Sequence, residues 1–76
     1  MDINRYEIEI KKHALHKAYE RGIHPDLIEH ALRTGRMERQ GKHVVRFIAT
    51  GSKRTIICVG RTSETKLTIM TIEEGN

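Results

Sequence analysis

The hydrophobic pattern of this chain changes period once, near Arg36, and that change limits what it can fold into. Before it, apolar residues recur three and four apart, the spacing of one helix face. After it they recur every second residue, the spacing of one strand face. Helices followed by strands belong to the α+β class. Seventy-six residues make one small domain, expected over residues 3–72, with 73–76 as a flexible tail.

The helical half centres on Lys12–Ile23 (KHALHKAYERGI). Ala14, Leu15, Ala18 and Tyr19 fall on one side of a helix and face a core. Upstream, Tyr6, Ile8 and Ile10 alternate as in a strand, but Ile3, Tyr6, Ile10 and Ala14 also make a helix stripe. The expectation is one helix from about Asn4 to Arg21. Asn4 would cap it, with Glu7 three residues on as in a capping box. Gly22 ends it in the left-handed conformation. A second helix, Pro25–Thr34, starts on a proline at its first position, carries Asp26 in its first turn and stops at Gly35. Its buried stripe is Leu27, Ile28, Ala31 and Leu32. The short link Gly22–His24 predicts an antiparallel helix pair, with Ile23 filling the core between them.

Lys42–Ala49, Arg54–Val59 and Lys66–Ile72 read as strands rich in β-branched residues. Arg36–Gln40 is a short, charged edge strand that discourages pairing. The turn Thr50–Lys53 and the loop Gly60–Thr65 are short, which predicts an antiparallel meander of three or four strands. Both parities are apolar. Val45, Phe47, Ile57, Val59, Leu67 and Ile69 make one set; Val44, Ile48, Ile56, Cys58, Met70 and Ile72 make the other. Two helices cover one face only. The second set is therefore expected to be exposed or covered by a partner, either a second copy or an antitoxin-like protein.

Charge narrows the partners. Residues 11–61 hold twelve of the fourteen Lys and Arg and four of the ten acids, a net +8, against −4 for the two ends together. A basic middle on a small body suits a polyanion such as RNA. The scarcity of aromatics, Tyr6, Tyr19 and Phe47 with no Trp, argues against stacking bases on a sheet. Cys58 is the only cysteine, so it reads as a small buried hydrophobe. No apolar run approaches the ~20 residues of a membrane helix, and the expected location is the cytoplasm.

His13-Ala14, Arg21-Gly22-Ile23, the helix Pro25–Thr34 and Met70-Thr71-Ile72 together resemble the domain-of-unknown-function family 4258. Lys17 stands in that family's arginine slot, keeping the charge but losing the bidentate fork. Lys11 stands where a Ser or Thr often precedes the His. The helix-helix-meander order is similar to that of RelE- and BrnT-type toxins. This resemblance implies a RelE-like fold and a metal-independent endoribonuclease activity.

Such cleavage needs a base, an acid and cations for the phosphate. Imidazole suits proton transfer near neutral pH. The candidate catalytic set is His13, Lys17 and Arg21 on the first helix and Arg46 on the first long strand. Lys11, Lys12, His16, Lys42, His43, Lys53 and Arg54 are candidate nucleic-acid contacts, and Thr71 a candidate hydrogen-bonding group. His24 and His30 read as a helix-start residue and a solvated one. His13 has a second reading, a structural imidazole bonding a backbone carbonyl. His13 and His16 are too few for a zinc site, which wants three or four ligands, so no metal or cofactor is expected. The alternatives to an RNA-cleaving enzyme are a non-catalytic nucleic-acid-binding domain and a protein-interaction module.

Overall fold

The computed structural model describes residues 6–51 and 54–75. They form β1 (Glu7–Ile10), α1 (Lys12–Glu20), α2 (Pro25–Thr34), β2 (Arg36–Arg39), β3 (Val44–Thr50), β4 (Thr55–Thr62) and β5 (Lys66–Gly75). The class is α+β, with one five-stranded sheet in the order β1-β5-β4-β3-β2. β2 to β5 form the expected antiparallel meander, but β1 adds to β5 in parallel, so the sheet is mixed. Glu73 to Gly75, expected in a tail, extend β5 opposite Thr55–Ile57.

The long first helix is replaced by a strand and a shorter helix. Ile8 and Ile10 pair with Leu67 and Ile69, and the Glu7 and Lys11 amides donate to the Thr65 and Ile69 carbonyls at 2.7 and 3.0 Å. Pairing with a strand almost sixty residues away outweighs the local helix stripe. Glu7 lies in β1 rather than in a capping box, and Asn4 lies outside the described residues. α1 starts after Lys11 with no side-chain cap.

The end of α1 follows the local chemistry. Gly22 has φ 73°, the left-handed region that glycine enters without penalty. Its N–H donates to Tyr19 O at 3.0 Å and that of Ile23 to Ala18 O at 2.8 Å, closing the last carbonyls. Ile23 is then buried. At α2, His24 Nδ1 accepts from Asp26 N at 3.2 Å. Gly35 closes that helix because the chain passes too near its neighbours for a side chain: a Cβ would overlap Ala31 O and lie 3.0 Å from Ile48 O.

The helices pack on the sheet more than on each other: α1 lies on β5, and α2 on β4 and β3. From α1 only Ala14 and Ala18 are buried, while Leu15 is exposed and Tyr19 is 77% exposed. The expected four-residue stripe is thus a two-alanine ridge. From α2, Ile28, Ala31 and Leu32 are buried, and Leu27 is exposed.

The sheet resolves the two apolar parities differently from their simple alignment. β3 and β4 pair with Val45 opposite Gly60 and Phe47 opposite Cys58, so odd positions on one strand share a face with even positions on the next. In β5 the pairing jumps from Gly60↔Ile69 to Val59↔Thr71, which leaves Met70 as the extra residue of a bulge. A bulge switches the face of everything beyond it. Leu67, Ile69 and Ile72 are therefore all buried with Val45, Phe47, Ile56 and Cys58. Ile56, Cys58 and Ile72 do not belong to the outer face. Its apolar members are Val44, Ile48, Ile57 and Val59, all half-buried.

Candidate active site

β1 flanks β5 only as far as Ile10↔Ile69. Beyond that point, among the described residues, no strand pairs with β5 on this side, and α1 lies across instead. The bulge at Met70 coincides with this change of neighbour. The result is a cleft of about 180 Å³. One wall is α1, through His13, Ala14, Lys17 and Arg21; the other is β5, from Met70 to Glu73.

Three of the four candidate catalytic residues meet here. His13, Lys17 and Arg21 are spaced four apart, so they form one row on the helix surface. Ala14 and Ala18 seat the helix closely enough for that row to overlook the strand. Arg46 does not join them. It sits between buried Val45 and Phe47, so it points away from the helices. β4 also separates its strand from β5, which places the two strands roughly 10 Å apart.

Arg21 has a structural contact as well. Its Nη1 donates to the Ile72 carbonyl at 3.1 Å, satisfying an acceptor on the open strand edge. The pinning of helix to sheet expected of a structural His13 is made by Arg21. Among the described residues, His13 makes no side-chain hydrogen bond or ion pair, and it is exposed.

The outer candidates are dispersed. Arg54 Nη1 and Nη2 donate to Gly22 O and Arg21 O at 3.0 and 3.2 Å, and its Nε pairs with the Glu74 carboxylate. Its guanidinium thereby clamps the end of α1 to the start of β4. His16 lies 4.0 Å from Glu20, off the cleft. Lys11 and Lys12 are exposed at the start of α1, and Lys42 and His43 precede β3 at the opposite edge of the sheet. Lys53 lies outside the described residues. His30 bonds Thr34 along α2 at 3.2 Å.

Glu73 is the lining residue that sequence reasoning missed. Placed in a tail, it is brought to the rim of the cleft only by the pairing of β5 with the start of β4; it lies opposite Ile57, so its side chain leaves β5 on the outer face. Glu73 and Glu74 also flank Arg21 in an adjoining open depression, which tempers the positive field of Lys17 and Arg21. The cleft therefore offers one imidazole and two cations, with Glu73 at its rim. Among the described residues, no three His, Cys, Asp or Glu side chains gather as a metal-ligand set, and no helix is long and apolar enough to cross a membrane.

No family model, curated protein or solved structure matches the chain.

Proposed function

We propose that the protein binds RNA at the α1–β5 cleft and cleaves it without a metal, as an endoribonuclease of the toxin type. The observation that carries this reading is the row His13, Lys17 and Arg21 lining one cleft against the open edge of β5. Lys17, and the N–H groups of Arg21 not bonded to Ile72, hold the scissile phosphate and stabilise its developing charge. Water takes the proton of a 2′-hydroxyl, whose oxygen attacks the neighbouring phosphorus. The P–O5′ bond breaks, and His13 gives a proton to the leaving oxygen. The products are a 2′,3′-cyclic phosphate and a 5′-hydroxyl.

Incubating the protein with single-stranded RNA in excess EDTA tests the reading. Fragments ending in 2′,3′-cyclic phosphate are expected. RNA that is bound but left intact would replace this reading with the non-catalytic binding domain.

A further inference from the structure

β2 is an edge strand with an open side, and its four residues Arg-Met-Glu-Arg are arranged to pair with themselves. In an antiparallel ladder, backbone groups point alternately to one neighbour and to the other side. The Gln40 N–H donates to Val44 O at 2.9 Å. With the register Arg36↔Ile48, Met37↔Phe47 and Glu38↔Arg46, residues 36, 38 and 40 turn their N–H and C=O toward β3. Met37 and Arg39 turn theirs outward. Arg36 and Glu38 share the outer face, where they form an ion pair at 3.0 Å. Met37 lies on the inner face, partly buried against the core.

We propose that β2 pairs antiparallel with β2 of a second copy, about a two-fold axis through Met37. Met37 then faces its own copy and exchanges both backbone hydrogen bonds with it. Arg36 falls opposite Glu38 of the second copy, and Glu38 opposite Arg36. These are side-chain neighbours at a non-hydrogen-bonded position, where the approach is closest. The two sheets become one, with all helices on the same side, and the contact is isologous as a closed dimer requires.

Two observations single out this pairing. An axis through Glu38 sets Glu38 against itself and uses backbone groups already bonded to β3. The other edge strand, β1, carries only Glu7 and Glu9 on its outer face; the antiparallel self-pairing about Ile8, whose backbone groups turn outward, sets acid against acid. Within the paired residues of each strand, opposite charges thus fall in register at β2, and like charges at β1.

So small a contact forms a reversible dimer, read by sedimentation equilibrium from micromolar to millimolar protein. The wild type is expected to associate with rising concentration. Arg36→Glu sets two Glu–Glu pairs across the axis and Glu38→Arg two Arg–Arg pairs. Each variant alone should associate at least about tenfold more weakly. An equimolar mixture of the two restores both opposite-charge pairs and should dimerise again. Circular dichroism checks that each variant keeps the wild-type fold. A wild type that stays monomeric throughout overturns the proposal. So does a dimer that survives both single reversals, because it must use another surface.

Discussion

Arg21 has two claims on one guanidinium: one nitrogen holds the Ile72 carbonyl, and the rest of the fork faces the cleft. Lys17, one turn back, has no such bond among the described residues, and its charge is free for a ligand. Replacing Lys17 by Ala should therefore weaken RNA binding without a change in melting temperature. Arg46→Ala, on the far face, should affect binding less. Filter binding of one RNA at several salt concentrations checks this, with Lys17→Ala expected to reduce the salt slope by about one. An equal loss for Arg46→Ala would move the binding surface to the outer sheet face. Cys58 presents the opposite case, a group shut away from chemistry. It is fully buried, and burial pushes its thiol up to about 11. A disulfide reagent at mildly alkaline pH should react with it only as fast as the domain opens. Rapid stoichiometric labelling of the folded protein would contradict its place in the core.

Elements differ in how far local sequence determines them. The bounds of α2 were legible because Pro25 and Gly35 fix both its ends, though Leu27 of its expected stripe is exposed. The end of α1 was legible because Gly22 takes the one conformation that closes the last carbonyls. β1 was not, because the strand that selects it lies at the other end of the chain. The apolar parities were not either, because they depend on the register of β3 on β4 and on the Met70 bulge. β1 is held partly by the Glu9–Lys66 ion pair at 3.0 Å. The hydrogen bond and charge of Lys66 keep the Glu9 carboxyl below its usual range. The pair's contribution is thus present above the ordinary carboxylate pKa and lost as pH falls through the lowered value. Glu9 in turn raises the Lys66 ammonium above its usual range. On the alkaline side, the contribution is complete below the ordinary lysine pKa and lost as pH rises through the raised one. Both groups are exposed, so the effect is small and local. Amide exchange at Glu7 and Lys11, compared with intrinsic rates, should lose protection below the usual carboxylate range. Glu9→Gln should remove that acid step. An unchanged step in the variant would assign it to another group.

Across the whole molecule, the basic middle of the sequence does not become one basic face. Lys17 and Arg21 overlook the cleft, Arg46 lies on the outer face, Arg54 is tied to Glu74, and Lys42 and His43 stand at the far edge. Net charge was legible from composition, but its distribution follows from sheet order and register, and these concentrate chemistry at one place. The cleft forms where β1 ends, β5 bulges and α1 crosses. Its His13 was legible from helix spacing, whereas Glu73 entered only through β5 pairing. His13 makes no side-chain bond among the described residues, so His13→Gln should leave the melting temperature unchanged. As the proton donor to the leaving oxygen it contributes roughly 10²–10⁴ in rate. The most direct measurement is the rate of RNA cleavage in EDTA by wild type and His13→Gln, with melting curves on the same preparations. The expected result is equal melting and a loss of rate within that range. A wild type that never cleaves RNA, or a variant that cleaves at the wild-type rate, would contradict the catalytic role of His13.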